Sequence, residues 1–263
     1  MRIILSRKGF DSSCGGCASP VLPDGTMLSM PIPSDGDGCR FDEIHFAGKS
    51  YADIWRELKP TGSHYEWCHL DPDIRKDIRD NPAEWVPAFG QVSQAETHLE
   101  QFNIQKGDLF LFFGWFRETV YRSNRLCFRR DAPDLQAIYG YLQVGEILRG
   151  RETERCYWHP HANRPEPNNT IYLASSSLTF EDRKTGLQGS GTLIYSESRV
   201  LTKPGMSRSK WKLNGIFGEI PLSYHSAGRV KDGYFDSVKR GQEFVFAEDP
   251  RVIEWAKSII LEH

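Results

Sequence analysis

Apolar and polar positions follow two different patterns along this chain. Up to residue 105 the apolar residues fall in short groups, several with helical spacing. Beyond it they gather into runs that read as strands. Residues 2–6 form a first apolar run that predicts a buried strand, and it stops abruptly at Ser6-Arg7-Lys8-Gly9. Asp24-Gly25 between apolar neighbours predicts a hairpin. Ser50 is placed to cap a helix carrying Ile54, Trp55 and Leu58. Asp71-Pro72 has the form of a helix start, an acceptor followed by proline in the first turn. The clearest helix is GQVSQAETHLEQF, where Ser93 and Glu96 have capping-box spacing and Val92, Ala95, Leu99 and Phe102 share a face.

After Phe102 the texture changes. KGDLFLFFGWFR reads as a turn feeding a continuous aromatic strand, and AIYGYLQVGEILRG as a second long strand; NTIYLAS, TLIYSES and EFVFAED are shorter candidates. The closing EDPRVIEWAKSII predicts an amphipathic helix with Asp249 as cap and Pro250 in its first turn. The expected class is α+β: a mixed or barrel-like β-sheet core, short helices in the N-terminal part and a C-terminal amphipathic helix. With no convincing linker, residues 1–260 read as one elaborated domain. Leu261-Glu262-His263 resemble the start of a vector tag.

Composition narrows the partners. The net charge is -2, so no global field favours a polyanion, although Arg122, Arg125, Arg129 and Arg130 form one local basic stretch. No apolar run reaches about 18 residues and no secretory leader is recognisable, so a cytoplasmic protein without a membrane partner is expected. Aromatic residues make up 12%, enough both to fill a core and to line a pocket for a flat ligand.

Candidate chemistry begins at the first strand's end. Cys14 and Cys17 have C-x-x-C spacing, but Ala18-Ser19-Pro20 cannot start a helix promptly and no second pair completes a zinc set, so no metal is expected. Without the cysteines, SRKGFDSS still offers Ser6, Arg7 and Lys8 for an anion, Gly15 and Gly16 for close backbone approach, and Asp11 as a base. The plainer reading is a polar surface loop with an Arg–Asp pair. His69 in WCHLDPD is an acid–base candidate, with Asp71 and Asp73 more simply serving a helix start. Gln91 and His98 lie at the edge of the clear helix's apolar face. Trp115 and Arg117 could stack on a base and pair with a phosphate, and Gln143 and Glu146 are polar residues among apolar ones. His159 and His161 flank a proline, but no third ligand can be named beside them.

Taken together, SRKGFDSS, LPDGTMLSMPIP, HLDPD, GDLFLFFGWFR and DLQAIYGYLQVGEI resemble the nucleotide modification associated domain family, third type, over nearly the whole chain. The resemblance implies a phage or bacterial protein of a DNA base-modification system. It singles out Ser6, Arg7, Lys8, Asp11, His69, Asp71, Gln91, His98, Trp115, Arg117, Gln143 and Glu146. The expected activity is hydrolysis or group transfer on a nucleotide or nucleobase, with Asp11, His69, His98 and Glu146 catalytic. Ser6, Arg7, Lys8, Gly15, Gly16, Gln91, Trp115, Arg117 and Gln143 would bind the ligand, and no cofactor fingerprint appears. A fainter similarity to barrels of the PUA, ASCH and EVE type implies the alternative, a non-enzymatic reader of a modified base in nucleic acid.

Overall fold

The structure, a computed structural model, describes residues 1–36, 38–62, 64–239 and 241–262. One mixed sheet organises it. From edge to edge the strands are Glu243–Val245, Ile3–Arg7, Leu109–Arg122, Leu135–Arg149, Thr170–Ala174 and Ala88–Gln91. Ile3–Arg7 and then Ser19–Val21 run parallel to Leu109–Arg122 along the same edge, while the other pairings of this path are antiparallel. The chain thus leaves the sheet at Lys8, forms the Gly9–Ala18 loop and rejoins it. The class is α+β, and the sheet is open rather than closed into a barrel.

Leu109–Phe113 is apolar at every position because the sheet is covered on both faces. Phe110 and Phe112 pack against Phe89, with Phe110 also against Tyr172; Phe113 meets Trp211 and Phe244. The C-terminal helix Pro250–Leu261, capped by Asp249, adds Val252, Ala256, Ile259 and Ile260 to this core. A second apolar cluster gathers Phe10, Phe41, Trp55, Leu58 and Leu126 around the helix Tyr51–Leu58, whose cap is Ser50. The carbonyl of Glu262 accepts from Arg199 at 2.7 Å, so the last helix is tied down through its end. No helix among the described residues is long and apolar enough to cross a membrane.

The candidate strand TLIYSES is strand only up to Thr192, with a 3-10 turn at Glu197–Arg199, and two expected helix caps fail. No helix starts at Asp71-Pro72: Asp73 instead bridges Ala88, and only a 3-10 turn, Lys76–Ile78, follows. The Asp71 carboxylate is turned inward, accepting from the Gly90 amide at 2.7 Å instead of capping amides that follow it in sequence. Nor does the Ser93–Glu96 capping box form. The helix Ser93–Gln101 has Val92 at its cap position with no side-chain cap, and Asn168 Oδ1 accepts from the Ser93 amide at 2.9 Å. Glu96 points into the core, where the Tyr172 hydroxyl donates to its carboxylate at 2.9 and 3.0 Å. Tertiary partners outcompete the local motif in both places.

Burial raises the Glu96 carboxyl from 4.5 to about 8, against the opposing hydrogen bonds of Tyr172 and Thr170. The folded chain therefore keeps this proton where the unfolded chain has released it. Glu96 stabilises the fold below about 4.5, and that contribution is lost as pH rises toward about 8. Comparing urea unfolding at pH 5 and pH 8, Glu96→Gln should lose less stability across this interval than the wild type. An identical pH response in both would remove Glu96 as its source.

Candidate active site

The sheet brings charged side chains from distant segments to one place. Ser6 and Lys8 stand at the end of the strand Ile3–Arg7, Gln91 ends Ala88–Gln91, and Glu243 begins Glu243–Val245. Lys8 Nζ lies 3.4 Å from both Asp71 Oδ2 and Glu243 Oε1, and 4.3 Å from the centre of the Phe89 ring. Gln91 Nε2 and Ser6 Oγ also donate to Glu243 Oε1, at 2.7 and 3.1 Å.

Three histidines close the cluster. His69 ends the strand Trp67–His69, and His159 and His161 come from the turn after the 3-10 helix Gly150–Cys156. His159 Nε2 is 3.4 Å from Asp71 Oδ1, and its Nδ1 accepts from the His161 amide. His69 Nε2 and His161 Nε2 are 3.1 Å apart, and His161 Nδ1 faces Asn169 Oδ1 at 3.1 Å. Asn169 Nδ2 donates to the His161 carbonyl, so its Oδ1 is the acceptor and His161 carries its proton on Nδ1. Arg164 Nη2 lies 3.3 Å from His69 Nδ1.

Gly90 serves this assembly twice. Its amide fixes Asp71, and its missing side chain makes room for His161, since a Cβ there would come within 2.3 Å of the imidazole Cγ.

Burial alone would raise the Asp71 carboxyl, but Lys8, His159 and His161 outweigh it and hold the group well below the usual carboxylate range. Glu243 moves the other way: burial pushes it up against the opposition of Lys8, Ser6 and Gln91. His161 is lowered to about 3, chiefly by burial, and stays neutral at physiological pH. One cation thus sits between two carboxyl groups driven in opposite directions. A small pocket of about 30 Å³ reaches Asp71 from the side of Ser29, Tyr51 and Tyr139, with room for a water-sized group.

The residues singled out from sequence separate into those at this cluster and those elsewhere. Ser6, Lys8, His69, Asp71 and Gln91 belong to it. Arg7 instead donates to the Val238 and Lys239 carbonyls at 2.7 and 2.8 Å, between the Phe113 and Phe244 rings, and burial lowers it to about 10. Asp11 is exposed and accepts from the Ser13 and Cys14 amides, shaping the loop; its charge favours the Arg7 cation, whose hydrogen bonds go to Val238 and Lys239 instead. Gly15 adopts a φ of +82°, lies against the Phe10 ring and offers its carbonyl to Lys59; Gly16 has a φ of +67°. Burial raises the Cys14 and Cys17 thiols, Cys17 to about 11.

His98 bonds Ser223 Oγ at 2.9 Å and packs on Phe102 and Tyr224. Arg208 lies over the Trp115 ring at 3.9 Å, and Arg117 donates to the Arg129 carbonyl. Gln143 and Glu146, three residues apart on one strand, part company. Gln143 is buried and accepts from the Thr179 amide, while Glu146 is exposed and paired with Arg155. Sequence reasoning missed Glu243 and Asn169 and had no partner for His159 and His161. The one available signal for Glu243 was a carboxylate opening the apolar run EFVF.

The chain belongs to the family described as nucleotide modification associated domain 3, which it matches over residues 2–247. It is therefore a protein associated with nucleotide modification. Among curated proteins it is similar to an arylacetonitrilase of Aspergillus niger, 30% identical over 91 residues, covering 31% of this chain and 25% of that protein. The chain thus spans about a quarter of the length of this relative. No solved structure matches.

The close approach at Gly90 is testable by a double-mutant cycle. Gly90→Ala should destabilise the wild type by about 1–3 kcal/mol and cost much less in a His161→Ala background, where the ring is gone. Equal costs in both backgrounds, measured by denaturant unfolding, would mean that Gly90 does not make room for His161.

Proposed function

We propose that this chain binds a nucleotide or nucleobase and acts on it by hydrolysis or group transfer. The observation that carries this reading is half-buried Lys8 between the buried carboxyl groups of Asp71 and Glu243, with His159 against Asp71 and His161 beside it. Two carboxyl groups pushed apart around one cation suit acid and base roles at a single centre. In this reading Lys8 attracts an anionic ligand, Asp71 orients His159, and His69 exchanges a proton. His69 is the least enclosed of the three imidazoles, 8% exposed against 3% for each of the others. The pocket at Asp71 admits only a water-sized group, so in this reading the ligand displaces side chains that now enclose the cluster.

Family membership supports nucleotide chemistry, and the partial similarity to an arylacetonitrilase agrees with hydrolysis without extending to its substrate. The proposal takes residues 1–260 as one unit acting in the cytoplasm. The reader of modified bases has less support, since the Trp115 face that would stack on a base is covered by Arg208.

A thermal-shift and mass-spectrometric screen against canonical and modified nucleotides tests the reading. At about 100 times Kd a cognate nucleotide should raise Tm by about 5–10 °C, and incubation should change the ligand's mass. Lys8→Met, compared with its own ligand-free baseline, should lose most of the shift. An undiminished shift in this variant would rule out the cluster as the binding site. Tight oligonucleotide binding with no change in ligand mass would establish the reader instead.

A further inference from the structure

The His69–His161 contact, an N–H···N hydrogen bond between neutral rings, also has the spacing of two ligands on one ion. Their Nε2 atoms face each other at 3.1 Å, and an Asp71 carboxylate oxygen, now held by the Gly90 amide and Lys8, lies within 4.8 Å of both, so it has to draw closer to share one ion with them. Two nitrogens bound to one zinc-sized ion at about 2.1 Å and at near-tetrahedral angles stand about 3.1–3.4 Å apart. We propose that His69, Asp71 and His161 form a binding site for a divalent first-row transition metal ion.

Three further features fit this assignment. His161 donates from Nδ1 to Asn169, which leaves the Nε2 lone pair directed at the cluster, and Asn169 is itself held by its bond to the His161 carbonyl. Such an outer partner fixes both the tautomer and the ring plane of a ligating histidine. Gly90 brings the backbone close enough to seat that ring, so the imidazole is enclosed and cannot swing away freely. Two imidazoles and one carboxylate suit zinc, iron, manganese or nickel, whereas calcium and magnesium favour oxygen-only sets.

His69 needs a larger adjustment. To ligate through Nε2 it must carry its proton on Nδ1, where Arg164 Nη2 now lies at 3.3 Å. Metal binding therefore moves the Arg164 side chain off Nδ1, because a guanidinium cannot donate to an N–H. Three protein ligands leave open positions on the ion, and these would take water or an anionic ligand. The inference does not depend on that ligand being a nucleotide.

The test is metal stoichiometry of the full chain, stripped with EDTA and reloaded with Zn2+ or Co2+ under reducing conditions. The wild type should retain about one ion per chain after desalting, with a higher Tm and a Co2+ visible spectrum free of strong thiolate bands. His161→Gln and His69→Gln should each lose the ion, with circular dichroism confirming that each is folded. If one of them fails to fold, the other supplies the same readout. The Cys14→Ser/Cys17→Ser double variant should keep the ion.

Absence of retained metal in the wild type would overturn the inference. So would retention in a folded histidine variant, or loss in the cysteine variant. Repeating the nucleotide screen on stripped and reloaded protein separates this result from the preceding one. Metal without any nucleotide response leaves the site standing and removes the nucleotide reading; a nucleotide response from protein that never holds metal does the reverse.

Discussion

Lys8 stands between two buried carboxyl groups, Asp71 and Glu243, and its position couples the first strand to two elements far from it in sequence. Placing such charges out of water costs several kcal/mol per ion unless each is paired and hydrogen-bonded. Here Ser6, Gln91, the Gly90 amide and His159 provide the remaining contacts. The strand Ile3–Arg7 must therefore lie beside Glu243–Val245, and the segment bearing Asp71 must fold against Ala88–Gln91. A simple apolar core could have filled the same space at lower electrostatic cost. That a polar one is kept at the ends of the strands is what makes this place the candidate site.

The surroundings show how the sheet sustains it. Leu109–Arg122 is buried on both faces for its first five residues, which gives the neighbouring strands a rigid partner and sets the depth of Lys8. Lys8 lies over Phe89, so one side of its ammonium meets an aromatic face while its hydrogens turn to the carboxylates. Arg7, one residue earlier, points elsewhere and holds the Val238–Lys239 backbone. Adjacent residues of a strand face opposite sides of the sheet, so the two cations of the Arg-Lys pair divide between a structural and a chemical role.

Several features of this protein could be read directly from residue order. The aromatic run of GDLFLFF reads as a strand and is one, and Ser50 and Asp249 cap the helices they precede. Ser6 and Lys8 stood out at the end of an apolar run, His69 as an acid–base group in HLDPD and Gln91 beside the clear helix, and they meet in space. Asp11, His98 and Glu146 carry the same kinds of side chain but face the Cys14 amide, Ser223 and Arg155. Residue type alone does not separate these two groups, because each has a local pattern consistent with either outcome. The Ser93–Glu96 spacing likewise matches a capping box, yet burial beside Tyr172 claims the carboxylate.

By itself the sequence determined the periodicities, the Ser50 and Asp249 caps and the family, because these depend on neighbours within a few positions or on motifs in a fixed order. It also placed a cation at the end of a buried strand. Only the tertiary structure decided that Asp71 turns inward to Gly90 and that Glu243 shares Lys8 with it. The same holds for His69 and His161, 92 residues apart in the chain and 3.1 Å apart in space. Such contacts are set by sheet order and by one missing Cβ at Gly90, and neither leaves a local signature in the residues that meet.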